Sequence, residues 1–316
     1  VAWAAGGTHP ALLAAMGIVM EWPDAEFPRR HCLTGFPVVG RLPDTGLWPL
    51  TSGRKAAKRE AEYVKPRELF KTNSRWVRQL VRSKKAAYEA AVARGDAAYL
   101  AEAREAWAAS MKEVEEKGTA IGPFTVDQLD AHFGYGKWRP AWRFVIWQGK
   151  WRPCDNFRAS RTNKACAPAE SMTNARADVL ARCGIQFYKE AVAHGWIEEG
   201  RRDDDGAWID GRAAPGCGFT NADLEMGSGG DDEADAYRGS AVDQQQLTAV
   251  LQIDPATGDV RGFVPRGSNF GLAAAVPNYN RKPEKTVAFA RRMFAAVAEH
   301  YFDDGTSPEM RFARGP

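Results

Sequence analysis

Cysteine and histidine are scarce in this chain, five of each among 316 residues. Cys32, Cys154, Cys166, Cys183 and Cys217 are odd in number and widely spaced, with no Cys-x-x-Cys pair and no Cys/His cluster. That pattern argues against a zinc site and against a disulfide framework, and a reducing intracellular compartment is expected. Long apolar runs are also missing, so no membrane-spanning helix and no membrane partner are expected. Residues 1–20 lack a basic leader, which argues against a signal peptide. Nor is there a large charge of one sign, the net being only +3.

That small net charge hides a segregation along the chain. Residues 54–94 and 137–164 carry an excess of Lys and Arg, whereas 198–235 carry most of the acidic run. A basic face beside a cluster of carboxylates suits a protein that holds a polyanion and positions metal ions. Solvated helix faces in an ordinary globular protein are the alternative. Hydrophobic residues make up 44% and charged residues 26%, a balance that excludes global disorder and is enough for two or three subdomains.

Local signals outline a mixed α+β chain. Residues 1–53 are rich in Gly, Pro and Trp and read as an irregular lead-in. From about 67 to 117 apolar residues recur at helical spacing, predicting two helices broken at Gly95-Asp96, with Asp96 capping the second and Gly118 ending it. Thr125 is expected to cap a short helix. Residues 142–147 and 151–157 predict a basic, tryptophan-rich hairpin, and 247–253 with 260–264 a second one around a turn-rich loop. Residues 171–194 look helical. A helix is predicted from about Leu272, interrupted near Pro283 and resuming to about Glu299.

Four motifs follow one another on this framework. Lys150-Trp151-Arg152-Pro153-Cys154-Asp155-Asn156-Phe157-Arg158 is basic and aromatic. Asp232-Glu233-Ala234-Asp235-Ala236-Tyr237-Arg238 sets an aromatic at fixed offset from a carboxylate. Asn269-Phe270-Gly271-Leu272 leads into a run of small residues, and Tyr301-Phe302-Asp303-Asp304 ends in two adjacent carboxylates. Adjacent aspartates disfavour each other's ionised form unless a positive group shares the site. A divalent ion at a tight hairpin would be such a group, since hard ions take carboxylate oxygens; a solvated Asp-Asp-Gly turn is the plainer reading.

Taken in order, these motifs resemble the reverse transcriptase family over roughly residues 120–304. Further phrases similar to retroelement-type members are Arg152–Asn163, Asp235–Arg238 and His300–Asp304, with softer matches at Gly35–Gly40 and Pro43–Gly46. The resemblance implies an RNA-directed DNA polymerase, a nucleotidyltransferase of a retroelement, acting on an RNA template, a DNA or RNA primer and dNTPs. It implies two Mg2+ ions, or Mn2+ in their place, held by Asp232, Asp303 and Asp304, which would be the catalytic carboxylates. Two such ions neutralise the attacking and leaving oxygens of in-line phosphoryl transfer.

The resemblance also assigns nucleotide-binding roles. Lys150 and Arg152 would hold triphosphate, for which the planar Arg fork is suited, or are simply exposed strand charges. Tyr237 would lie under the incoming sugar, or is a core aromatic on a helix. Gly271 would let backbone approach nucleotide, or starts a helix. Trp142, Trp147 and Trp151 would stack on template bases or pack within their hairpin.

The implied fold is α+β, a right-hand polymerase palm with fingers, its antiparallel palm sheet packed on helices and its thumb absent or truncated. The expected divisions are an irregular lead-in over 1–53, a basic helical region over 54–118, fingers over 119–230 and palm over 231–316. Residues 225–232 depart from the family pattern, because this Gly-rich stretch is a poor strand by propensity. The first catalytic carboxylate is therefore open between Asp232, Asp231 and even Asp223, with Asp232 the frame that sets Ala236 and Tyr237 correctly. A decayed or truncated copy that binds nucleic acid without polymerising is the alternative function.

Overall fold

The computed structural model describes residues 9–25, 27–173, 178–205, 208–209, 212–217, 220, 226–232, 236–294, 298–301 and 304–310. Backbone alone is described at 178–181, 208–209, 226–232, 299–301 and 304–310. The longer helices are α1 (Asn73–Arg94), α2 (Ala97–Glu115), α3 (Val126–Phe133), α4 (Asp178–Ala193) and α5 (Ala275–Phe294). The strands that matter for function are β1 (Ala120–Phe124), β2 (Ala141–Trp147), β3 (Trp151–Asp155), β4 (Met226–Asp232), β5 (Val250–Ile253), β6 (Val260–Pro265), β7 (Glu299–Tyr301) and β8 (Asp304–Met310). The class is α+β. None of the described helices is long and apolar enough to cross a membrane.

By contact, the chain forms two units: Val1–Met172 with Asp235–Arg281, and Thr173–Ala234 with Lys282–Pro316. In the first unit, a five-stranded sheet runs in the order β1-β6-β5-β2-β3. All its pairs are antiparallel except β5 with β2. Helix α1 ends where Gly95 turns left-handed (φ 63), a conformation that glycine adopts without steric cost. Asp96 then caps α2, its side chain accepting from the Tyr99 amide at 3.1 Å. Thr125 and Gln128 form a reciprocal capping box at the start of α3. The core is apolar on both sides of the sheet, with Phe157, Leu247, Val250 and Phe263 in one cluster. Leu129, Trp138, Leu251 and Ile253 belong to the other.

The phrases near the N-terminus have structural tasks in this unit. A Cβ on Gly35 (φ 91) would run into the backbone of Val242 and Asp243, so the chain closes there only with glycine. Phe36 then exchanges backbone bonds with Ala241 and Asp243 at 2.8 and 3.0 Å. The Glu170 carboxylate anchors the 45–47 turn, accepting from the Thr45 amide and hydroxyl at 3.0 and 2.7 Å and from the Leu47 amide at 3.2 Å.

In the second unit, β4-β8-β7 form a three-stranded antiparallel sheet, and α4 packs against β8. The Gly-rich 226–232 segment is a strand after all, paired with β8 along its whole length from Met226↔Met310 to Asp232↔Asp304. A complete ladder of backbone bonds outweighs a poor side-chain propensity. Pro308 lies where β8 has β4 alone as its partner, since β7 pairs with β8 only at residues 304–306.

The expected interruption at Pro283 does not occur: α5 runs through it. A proline inside a helix removes one backbone bond and strains the preceding turn. The helix is described as far as Phe294, and Glu299 belongs to β7 rather than to a helix.

Candidate functional site

The acidic positions meet in the second unit. β7 and β8 are the arms of a hairpin in which Tyr301 opposes Asp304, and β4 lies on the other side of β8 with Asp232 opposite Asp304. Opposed positions of an antiparallel ladder share one face of the sheet, and like charges there destabilise each other. Strands β4, β7 and β8 contain Asp231, Asp232, Glu299, Asp304 and Glu309 but no Lys or Arg. Carboxylate oxygens are the ligand type that hard divalent ions take. In this register Asp232 opposes Asp304, whereas Asp231 opposes Gly305. Asp303, Asp223, Glu233 and Asp235 lie outside the described residues. Among the described residues no group of three His, Cys, Asp or Glu that could hold a metal ion is found.

The other singled-out residues belong to the first unit. The 142–157 hairpin forms as expected, with Ile146 opposite Arg152 and Trp147 opposite Trp151. Lys150 and Arg152 are exposed, and neither side chain has an ion-pair or hydrogen-bond partner among the described residues. Trp147 and Trp151 pack edge to face at 5.2 Å, yet Trp147 remains 62% exposed. Trp142 is half-buried, with the Lys84 ammonium 5.0 Å over its ring.

Tyr237 is buried in a turn rather than on a helix, against Phe270 at 4.8 Å and Tyr279 at 5.1 Å. Gly271 (φ 92) also precedes its helix instead of starting it, and a Cβ there would sit 2.7 Å from the Asp155 carbonyl. Asn163 clamps that turn, donating to the Gly271 carbonyl and accepting from the Ala273 amide, both at 2.8 Å. The basic block and the Phe-Gly-Leu motif are thereby one packed assembly.

At its centre lies a charge network that sequence reasoning missed. Arg143 on β2 is fully buried and forks onto Asp155, Nε to Oδ1 at 2.7 Å and Nη2 to Oδ2 at 3.1 Å. Its Nη1 reaches Glu113 at 2.7 Å and Ser110 at 2.9 Å, both on α2. Arg238 completes the set, donating to Glu113 at 2.8 Å, and Asn269 donates to Asp155 at 2.8 Å. Two guanidiniums thus balance two carboxylates. Arg139 and Arg143 are internal, which leaves Lys137, Lys150, Arg152, Arg158, Arg161 and Lys164 as the exposed part of the 137–164 basic block. The available signal was the i, i+4, i+7 spacing of Ala106, Ser110 and Glu113, which all fall on the buried face of α2.

Burial alone pushes the Glu113 carboxyl up, but Arg143 and Arg238 outweigh it and hold the group at about 2. A carboxylate depressed on folding contributes stability that is complete above its unfolded value and fades as pH falls toward the folded one. Between about pH 4.5 and 2 the loss should reach about 3 kcal/mol. Urea midpoints of the parent and Glu113→Gln should therefore converge as pH falls from 6 to 3. A gap that is constant over that range would contradict it.

No family model matches the chain, and no curated protein matches it.

Proposed function

We propose that the chain is the RNA-directed DNA polymerase (reverse transcriptase) domain of a retroelement, with a palm in the second unit. The observation that carries this reading is the register of β4, β8 and β7. It opposes two aspartates from distant motifs, Asp232 and Asp304, beside the Tyr301–Asp304 hairpin, in a sheet without Lys or Arg. Asp232, Asp303 and Asp304 would hold the divalent ions, which when bound supply charge neutralisation at the reacting phosphate. The chain's own part there is to fix Asp232 and Asp304 on paired backbone, where the ladder sets their spacing. In the first unit, the exposed Lys150 and Arg152 and the Trp147 ring offer phosphate and base contacts of the kind a nucleic-acid strand uses.

The test is primer extension on an RNA template with Mg2+ and the four deoxynucleotides, by the parent and by the Asp303→Asn, Asp304→Asn double variant. Extension by the parent and none above background by the variant, with unchanged circular dichroism, is the expected result. Extension that survives the double substitution overturns the reading. If neither protein extends and both bind RNA with equal, salt-dependent affinity, the chain is the decayed, nucleic-acid-binding alternative.

A further inference from the structure

Helix α1 carries a face that none of the motifs above uses. Val77, Leu80 and Ala91 are buried on one side of it, whereas Arg75, Arg78 and Arg82 stand exposed on the other. Their i, i+3, i+7 spacing sets them in one row over about 10 Å of helix axis. The row borders a groove of about 510 Å³ that is also lined by Gln79, Ser83 and Ala86.

No carboxylate pairs with this row among the described residues. Residues 69–88 and 131–154 contain no Asp or Glu, and the side chains of Arg75, Arg82 and the exposed Lys137 have no ion-pair or hydrogen-bond partner among the described residues. Arg78 donates from Nη1 to the Tyr135 hydroxyl at 2.9 Å, which sets a ring that is 64% exposed beside the row. At the start of the same helix Arg139 is 3% exposed and donates only to neutral oxygens, the Ser160 carbonyl, the Thr72 hydroxyl and the Asn73 amide oxygen. Burial and the nearby Arg161 push its pKa down to about 10. A buried cation without a counter-ion adds to the positive potential of the surface around it.

These features select a partner. A row of guanidiniums fits phosphates, because each planar fork can pair two oxygens. The exposed Tyr135 ring fits the face of a base, which an unpaired strand leaves free. Between the arginines lie Gln79 and Ser83, with no large apolar side chain to enter a bilayer. We propose that this face of α1, with Tyr135 and Lys137, binds single-stranded nucleic acid through its phosphates and a stacked base. The inference goes beyond the polymerase reading and rests on no palm residue.

Fluorescence anisotropy of the full chain with a labelled oligouridylate of about 12 nucleotides tests it. The triple variant Arg75→Gln, Arg78→Gln, Arg82→Gln should bind at least about tenfold more weakly at about 0.1 M salt, with unchanged circular dichroism. It should also reduce the slope of log affinity against log salt by about 2, since three phosphates lose their partners. Removing the same charge from exposed positions of the helix Gly53–Glu62, by Arg54→Gln, Lys55→Gln, Lys58→Gln, should weaken binding less than about twofold. Tyr135→Ala should cost several-fold in affinity and leave the slope unchanged. The Asp303→Asn, Asp304→Asn double variant should bind as the parent does, so a failed polymerase reading leaves this result standing. No binding by the parent, or equal losses from the two triple variants, would overturn the proposal. Competition by polyglutamate as strong as that by unlabelled oligouridylate would overturn it in favour of an acidic protein partner.

Discussion

Replacing Arg143 with methionine should lower the free energy of unfolding by about 3–5 kcal/mol, read as a fall in the urea midpoint. The side chain is wholly buried and its three nitrogens serve two carboxylates and a hydroxyl. Taking it away leaves Asp155 and Glu113 with Arg238 as their shared cation, 3.9 Å from Asp155 and 2.8 Å from Glu113, and Asp155 with the Asn269 amide. A buried carboxylate without its partner is far costlier than the intact pair is helpful, so the loss is large even though the network's net contribution is modest. Lysine at the same position should recover little, because a single ammonium cannot reproduce the fork onto Asp155. A change of less than about 1 kcal/mol in Arg143→Met would show that the pair is solvated in solution.

The second large effect is expected at Gly267. A Cβ there would overlap the carbonyl oxygen of Arg238 and approach its carbonyl carbon to 2.7 Å and its Cα to 3.1 Å. All three are backbone atoms, so no rotamer change can relieve the clash. The surrounding chain is held as well, by the Ser268 amide on the Ser240 carbonyl at 2.8 Å and the Ala241↔Gly267 bridge. Gly267→Ala should cost about 3 kcal/mol or more and lower Tm by about 10 °C. Gly239→Ala in the facing segment is the control: its Cβ would meet only the Ala236 carbonyl, at 3.5 Å, and it should melt within a few degrees of the parent. Equal melting of the two variants would mean that the 238–240 and 267–268 segments part without penalty.

Much of the local structure was legible in the residues themselves. Gly95-Asp96 ends one helix and caps the next, Thr125 caps a third, and turn formers at 254–259 join two apolar strands. Each signal acts over four or five residues, the range in which backbone sterics and capping bonds operate. The hairpin of Trp147 and Trp151 was legible for the same reason.

Four features were decided only by the tertiary structure. Met226–Asp232 is a strand because β8 supplies a full ladder, although its glycines favour no strand on their own. Helix α5 continues through Pro283, against local preference. Glu113 and Arg143 look like surface charges in the sequence, and only the packing of α2 on β2 makes each the other's counter-ion. Asp232 and Asp304 stand out in their own motifs, but only a long-range register sets them opposite each other. Local preferences are properties of short stretches of chain. Pairing, burial and the neutralisation of buried charge depend on residues far apart in sequence, and they exist only once the strands and helices have met.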